Sequence, residues 1–241
     1  MDVLEKNQLA RRDALVHWYY QSKNLLVKKW IINSGKNLEK STLVDVGCGE
    51  GIFLELLSKD KKIRIKKFLG IDPAYPKKTF LSKKVKISPS IKKGKKYDFM
   101  LLMDVLEHLK NDSGFLQNII SYLSKSGELF ITVPALKWMW SAHDKYLGHK
   151  RRYNYKSLMT LIKKTKRLKI KNLYYFYAPI LPLVAIIRLC RQNKIPAKKS
   201  DMEKVSFFAN KLLLKLAELE SKVARKNKIA GLSLIAECQK K

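Results

Sequence analysis

The fold of this chain is decided by one stretch, Val44-Asp45-Val46-Gly47-Cys48-Gly49-Glu50-Gly51. The apolar run at residues 42–46 predicts a buried parallel strand, and residues 52–57 predict the helix that follows it. The glycines between them let the backbone turn sharply, and the helix N-terminus adds exposed N–H groups. Because ligands of open parallel sheets bind beyond the carboxyl ends of the strands, this loop is a predicted binding site.

Two carboxylates indicate what kind of ligand this loop binds. The loop has the spacing GxGxG, one residue shorter than the GxGxxG that places a pyrophosphate at a helix N-terminus. Asp45 precedes the first glycine and suits a ligand with an ammonium or sulfonium group better than a pyrophosphate. Asp72 ends the next predicted strand, where its carboxylate can accept hydrogen bonds from both hydroxyls of a ribose. Each feature alone also fits an ordinary turn, so the prediction depends on the two together.

Strands and helices alternate through the first half of the chain. The predicted elements are a helix at 3–32 that ends at Asn33-Ser34-Gly35, strands at 68–72 and 97–103, a helix at 112–124, a turn at Ser126-Gly127 and a strand at 128–133. This alternation predicts an α/β fold, with a parallel sheet and helices on both faces.

The pattern changes after Pro134. The predicted elements there are a long ordered loop at 138–155, an amphipathic helix at 157–168, a strand at 169–177, an apolar segment at 178–189, a polar linker at 190–202, a second amphipathic helix at 203–227 and a final strand at 232–238. We treat residues 1–241 as one domain, since a chain of this length forms one core of ordinary size.

Several motifs, in this order, resemble those of class I S-adenosylmethionine-dependent methyltransferases. They are Val44–Gly51, Gly70-Ile71-Asp72, Tyr97-Asp98 with Asp104-Val105-Leu106-Glu107-His108-Leu109, and Ser126–Pro134. The resemblance implies a Rossmann-like sheet of seven strands, the last one antiparallel, and a helical insertion before that strand. It divides the domain into an N-terminal lid helix (1–35), a cofactor-binding core (41–135), a substrate loop (136–156) and the insertion (178–230).

The same resemblance implies S-adenosylmethionine as the cofactor. Gly47, Gly49 and Gly51 would wrap its methionine part, and Asp72 would hold its ribose. The cofactor-binding residues that we predict are Asp45, Gly47, Cys48, Gly49, Gly51, Asp72, Met103 and Asp104. Many relatives carry an acidic residue near the adenine, whereas residues 86–90 of this chain have none, so Ser88 or the main chain would serve there.

Residues 17–30 and 138–153 narrow the resemblance to methyltransferases of glycan and lipid biosynthesis. If the acceptor is a hydroxyl, a base must take its proton. His143 is the first candidate because Asp144 stands beside it in a loop predicted to overhang the cofactor. His143 also fits a structural role in that loop, and His108 completes the predicted catalytic set. Arg151-Arg152-Tyr153 fits either an anionic part of the acceptor or a solvated turn.

The fourth motif also fits a metal site. Asp104, Glu107 and His108 have the spacing i, i+3, i+4 and would share one face of a helix. With a later histidine, they could hold a divalent cation. The same residues also fit a pocket without metal, and we expect no metal.

The charge of the chain is strongly positive, with 51 Lys and Arg against 20 Asp and Glu. Lysine outnumbers arginine by 42 to 9, although arginine is the better bidentate ligand for phosphate. Residues 59–96 alone hold fourteen lysines. A solvated surface therefore explains the charge better than specific nucleic-acid binding. The three cysteines form no CxxC pair, and the N-terminus lacks a secretory signal pattern, so we expect a cytoplasmic protein.

The apolar segment near the C-terminus helps to predict the chemical class of the methyl acceptor. Residues 173–189 contain two prolines and fall short of the roughly 20 apolar residues that a spanning helix needs. They fit a buried helix or substrate lid, or an interfacial helix followed by basic residues at the inner face of a membrane. We therefore expect O-methylation of a small, lipid-linked or glycan-type acceptor. The alternatives are an RNA or protein methyltransferase and a non-catalytic S-adenosylmethionine-binding module, and the oligomeric state stays open.

Overall fold

The computed structural model describes residues 9–75, 77–191 and 205–241. The strands are β1 Thr42–Val46, β2 Lys67–Ile71, β3 Thr79–Phe80, β4 Val85–Ser88, β5 Tyr97–Met103, β6 Leu123–Pro134, β7 Leu168–Phe176 and β8 Ser233–Lys240. The α-helices are α1 Arg11–Val16, α2 Trp18–Ile32, α3 Ile52–Lys59, α4 Asp112–Ile120, α5 Ala142–Tyr146, α6 Tyr155–Lys164, α7 Leu181–Arg191 and α8 Phe207–Glu220.

All the strands form one sheet, in the order β3-β4-β2-β1-β5-β6-β8-β7. Strands β4, β2, β1, β5 and β6 are parallel neighbours, and β8 runs antiparallel between β6 and β7. The predicted sheet with an antiparallel last strand is confirmed. The predicted count of seven strands was one too low, because β3 pairs antiparallel with β4 over only two residues. A strand that short has no alternating pattern for a sequence to show.

Helices cover both faces of the sheet because side chains alternate along its strands. On β1, the buried Leu43 packs into one core cluster with Trp30 of α2, and the buried Val44 packs into the other cluster. That second cluster includes Leu116 of α4 and Leu158 of α6. The near-continuous burial of β1 and β5 follows from having helices on both sides.

The predicted N-terminal lid helix is two helices rather than one. His17 has an extended backbone, with φ −69° and ψ 133°, and separates α1 from α2. Its Nδ1 accepts a hydrogen bond from the N–H of Tyr19 at 3.4 Å, which caps α2. The N–H of Trp18 donates to Asn210 Oδ1 of α8 at 2.7 Å. These side chains satisfy the first N–H groups of α2, so a new helix begins there. Residues 1–8 of the predicted helix lie outside the described residues.

Three other predictions need correction. The predicted turn at Ser126-Gly127 lies inside β6, where Ser126 has a φ of 60°. The predicted loop at 136–156 contains α5, which begins with a capping box between Ser141 and Asp144. The predicted helix at 203–227 ends at Glu220, whose carboxylate accepts hydrogen bonds from the main chain of residues 177 and 178.

The helical insertion before β8 is confirmed by α7 and α8. The predicted linker at 190–202 lies almost entirely outside the described residues. Within the described part of the chain, none of the helices is both long and apolar enough to cross a membrane.

Candidate active site

A cavity of about 630 Å³ opens at the carboxyl ends of the central strands. Each of these strands contributes lining residues: Gly47 follows β1, Asp72 follows β2, Asp104 follows β5, and Pro134 ends β6. The strand order reverses between β1 and β5, and such a reversal is where open α/β sheets bind ligands. Helices α2 and α7 complete the wall, with Trp18, Tyr19, Tyr20, Val184 and Arg188 among the lining residues.

The glycine loop forms one side of the cavity. The N–H of Gly47 donates to the carbonyl oxygen of Ile71 at 2.7 Å, which joins the loop to the end of β2. Gly47 has a φ of 76°, and a Cβ atom there would lie 2.6 Å from Cγ2 of Val105. A side chain at this position would therefore clash with the wall and strain the backbone. The loop presents bare backbone to the cavity, as the motif predicts.

Asp45 is fully buried in β1, directly before Val46, where the cavity wall begins. Neither carboxylate oxygen has a hydrogen-bond partner among the described residues. Burial, and then the nearby Asp72, raises the pKa of Asp45 to about 7. A buried carboxylate without a partner is costly unless a positive charge compensates it. This arrangement fits a ligand that carries an ammonium or sulfonium group.

The side chain of Asp72 lines the cavity, whereas that of Cys48 lies in the core. Asp72 also anchors the loop, since its carboxylate accepts from the N–H of Gly49 at 2.8 Å and of Ala74 at 2.9 Å. Each oxygen retains a further lone pair for a ribose hydroxyl. The Cys48 side chain is buried in the core, where its Sγ would lie 2.5 Å from a Cβ atom on Gly70. Cys48 therefore contributes to the loop through its backbone.

Asp104 lines the cavity beside Met103 but is already engaged with other residues. Its carboxylate forms an ion pair with the fully buried Lys23 of α2. It also accepts hydrogen bonds from the hydroxyls of Tyr19 and Thr132, both at 2.9 Å. Burial alone would raise the pKa of Asp104, but the Lys23 ammonium holds it below the ordinary value. The sequence missed Lys23, because a lysine within a predicted helix usually faces solvent.

Two hydrogen-bond partners of Asp144 lie further along the chain than its neighbour His143. Its carboxylate lies 2.8 Å from Nδ1 of His149 and accepts a hydrogen bond from Nε of Arg152 at 2.7 Å. Burial would raise the pKa of Asp144, but these two partners hold it well below the usual range. Because Asp144 is a carboxylate, Nδ1 of His149 carries the proton and Nε2 is the ring's acceptor nitrogen. His149 was not predicted, because its separation of five residues from Asp144 matches no helical spacing.

The structure decides against one of the two roles that the sequence allows for Arg152, the solvated turn. Besides Asp144, its guanidinium donates to the carbonyl oxygen of Ala135 at 2.9 Å. The residue is buried at the cavity wall, so it is not part of a solvated turn.

Three histidines gather at the wall of the same cavity. The rings of His108 and His149 have centroids 4.7 Å apart, and His143 lies 6.4 Å from His149. Glu107 lines the cavity beside them, fully buried, and its two oxygens lack a hydrogen-bond partner within the described residues. Burial, and then the charge of Asp104, raises the pKa of Glu107 well above its ordinary value. The predicted trio of Asp104, Glu107 and His108 does not share a helix face, because residues 106–108 form a 3-10 turn.

Comparison with known proteins gives two sequence matches. The profile of a family described as a methyltransferase domain matches residues 17–173. The ubiquinone biosynthesis O-methyltransferase of Pelagibacter ubique (strain HTCC1062) is 28% identical over 123 residues, which is 46% of this chain and 50% of that protein. The chain thus matches about half the length of this curated relative.

Solved structures share the fold at low sequence identity. The complex of the Haloferax volcanii Trm112 methyltransferase activator with a methyltransferase gives a TM-score of 0.56 at 14% identity, covering 99% of this chain and 98% of that chain. The plantazolicin methyltransferase BpumL, solved with SAH, gives 0.53 at 14% identity, covering 95% and 86%. The sheet order, the glycine loop with Asp45 and Asp72, and the profile match over most of the chain lead to one conclusion. The chain belongs to the methyltransferase-domain family and has the fold of class I S-adenosylmethionine-dependent methyltransferases.

Proposed function

We propose that the protein transfers a methyl group from S-adenosylmethionine to an oxygen atom of a small acceptor. The observation that carries this proposal is one cavity that is lined both by the glycine loop and by three histidines. When bound, S-adenosylmethionine supplies a methyl group attached to a positively charged sulfur. The glycine loop and Asp72 would hold this cofactor, and the buried Asp45 would compensate its positive charge.

The histidines would accept the proton that an acceptor hydroxyl loses. His143, His108 and Asp144 remain the proposed catalytic residues, and the geometry adds His149, because it is the imidazole that Asp144 orients. Trp18 and Tyr19 of α2 would help to exclude water from the cavity. Oxygen as the methylated atom is also supported by the name of the Pelagibacter relative, an O-methyltransferase.

Helix α7 supports a lipid-linked acceptor. Val184 and Arg188 line the cavity, whereas Leu183 and Ile186 on the same helix are 56% and 60% exposed. Apolar side chains thus face solvent directly beside the cavity, in a chain with a net charge of +31. This combination suits peripheral contact with an anionic membrane that presents the acceptor. The narrower resemblance to glycan and lipid enzymes stays a prediction.

The test is methyl transfer from labelled S-adenosylmethionine by the full chain. Lipid extract, glycan extract, bulk RNA and unfolded protein are offered as separate acceptor pools, with the Asp72→Ala variant as control. We expect label in the lipid or glycan pool, carried by an O-methyl group on mass analysis, and none with the variant. Label in RNA or protein would support the alternative enzymes. Cofactor binding without transfer to any pool would support a non-catalytic module.

A further inference from the structure

We propose that Glu107, His108 and His149 bind one divalent transition-metal cation at the histidine side of the cavity. One ligand atom from each of these residues lies within 4.8 Å of the other two. Donor atoms around a bound Zn²⁺ sit about 2.0–2.2 Å from the ion, so small side-chain rotations would close the site. This proposal departs from the expectation, drawn from the sequence, that the protein holds no metal.

The unpartnered carboxylate of Glu107 is the first observation that points to a cation. The side chain is fully buried, and both oxygens lack a hydrogen-bond partner within the described residues. Buried carboxylates are retained when they are paired or when they coordinate a metal. The other carboxylate of this motif, Asp104, has its partner in Lys23 and is therefore not needed as a ligand. A cation at Glu107 would give the motif the charge balance that its side chains lack.

The orientation of His149 is the second observation. Its Nδ1 faces the Asp144 carboxylate at 2.8 Å, which makes Nε2 the acceptor nitrogen. Histidines that bind metals usually donate their other ring N–H to a carboxylate in this way. Arg152 holds Asp144 from the opposite side, at 2.7 Å, so the orienting carboxylate is itself fixed.

The main chain fixes the two ligand-bearing segments relative to each other. The N–H of Lys150, the residue after His149, donates to the carbonyl oxygen of Glu107 at 2.7 Å. The Arg151 side chain donates to the carbonyl oxygens of Leu109 and Lys110, at 3.0 and 2.9 Å. Because these contacts flank all three proposed ligands, the ligands are held in place before a cation arrives.

The donor set indicates the class of metal. Two imidazole nitrogens and one carboxylate suit Zn²⁺, Fe²⁺, Co²⁺ or Ni²⁺ better than Mg²⁺ or Ca²⁺, which prefer oxygen ligands. Three protein ligands leave at least one coordination position open toward the cavity, as in catalytic metal sites. An oxygen of the acceptor could occupy this position. With His108 and His149 bound to the metal, His143 is the cavity histidine that would take the proton of the acceptor hydroxyl. The metal site itself does not depend on which acceptor the enzyme methylates.

The test is Co²⁺ binding to the full chain, purified without a histidine tag and stripped with chelator. We expect one Co²⁺ per chain by elemental analysis, with a visible absorption band of a mixed nitrogen and oxygen site. Glu107→Gln and His149→Asn should each weaken binding at least tenfold. His143→Asn removes an imidazole of the same cavity that is outside the proposed ligand set, so it should leave binding unchanged.

Folding and cofactor binding serve as separate controls. Each variant is checked by circular dichroism and by its affinity for S-adenosylhomocysteine. The site proposed for this ligand includes Asp72 and none of the three metal ligands. In wild type, Co²⁺ should raise the melting temperature, and in a folded Glu107→Gln variant this increase should disappear. Absence of binding by folded wild type would overturn the proposal, and so would equal binding by wild type and both ligand variants.

Discussion

At the scale of single residues, Asp45 is a fully buried carboxyl group directly before the cavity wall. Its pKa of about 7 means that roughly half of the carboxyls are protonated near neutral pH in the empty enzyme. A cationic ligand favours the ionised form, so ligand binding should release a proton from the protonated fraction. If Asp45 compensates the positive charge of the cofactor, as proposed, the affinity for the cofactor depends on pH.

We predict that the affinity for S-adenosylmethionine rises with pH up to the pKa of Asp45, which is about 7, and levels off above it. One unit below that value, only about a tenth of the carboxyls are ionised, so affinity should fall roughly tenfold. Calorimetric titrations across this range in buffers of different ionisation enthalpy would measure both affinity and proton release. Asp45→Asn should bind weakly with a flat profile, and a flat profile in wild type would refute this role.

The residues of the cofactor loop were predictable because they are close in sequence. Three glycines, one aspartate before them and one at the next strand end form a local pattern. His149 and Lys23 were not predictable in this way. Lys23 meets Asp104 only when segments 81 residues apart fold together. His149 meets Asp144 through a local turn, and their separation of five residues matches neither a helix nor a strand period. Asp144 was expected to orient its neighbour His143, and the structure places its carboxylate against His149.

At the scale of elements, α2 is joined to the end of β5 by a buried ion pair. The Lys23 side chain is fully buried and contacts Asp104, and the Tyr19 hydroxyl lies 2.6 Å from the Lys23 ammonium. The same helix carries Lys28, whose pair with Asp60 is partly exposed to solvent. The two lysines therefore allow a comparison of a buried and an exposed pair on one helix.

We predict that Lys23→Met lowers the free energy of unfolding by about 3 kcal/mol, because it leaves the Asp104 charge without its partner. Adding Asp104→Asn to this variant should restore most of the loss. Lys28→Met should cost less than about 1 kcal/mol, since water screens the exposed pair. Urea denaturation of the four proteins would measure these differences. Equal losses for the two lysine variants would contradict the account.

Helix α7 provides the second test at this scale. We predict that the double variant Leu183→Ser, Ile186→Ser reduces sedimentation with phosphatidylglycerol vesicles several-fold, because both side chains are exposed beside the cavity. Ile229 is 89% exposed but lies outside α7, so Ile229→Ser is a matched control that should retain binding. If all three proteins sediment equally, α7 is not the membrane contact. Vesicles of neutral lipid should bind wild type weakly.

The regular elements were predictable to different degrees. Strands β1, β2 and β5 were predicted within a residue or two, because buried parallel strands give continuous apolar runs. The helix at α5 was missed although its capping box is visible as Ser141 and Asp144, since its five residues show no apolar period. The break at His17 was missed because the apolar pattern continues across it.

At the scale of the whole molecule, the lysine-rich stretch at residues 59–96 and the candidate active site occupy different regions. Of the fourteen lysines in residues 59–96, thirteen are exposed and Lys86 is half-buried. This stretch includes β3, the strand at one edge of the sheet. None of these lysines is among the described residues that line the cavity. The lysine-rich stretch is therefore a solvated surface, as expected from its sequence, and the site is built from the strand ends and the helices that cover them.

The central claim is that one cavity, built on the glycine loop and Asp72, binds S-adenosylmethionine. Calorimetric titration of wild type and Asp72→Ala with S-adenosylmethionine and S-adenosylhomocysteine tests this claim most directly. The Asp72 carboxylate anchors Gly49 and faces the cavity. Removing its charged hydrogen bonds should cost about 3 kcal/mol, or roughly a hundredfold in affinity. We expect one molecule bound per wild-type chain and this loss in the variant. Absence of binding by folded wild type, or equal affinity in both proteins, would contradict it.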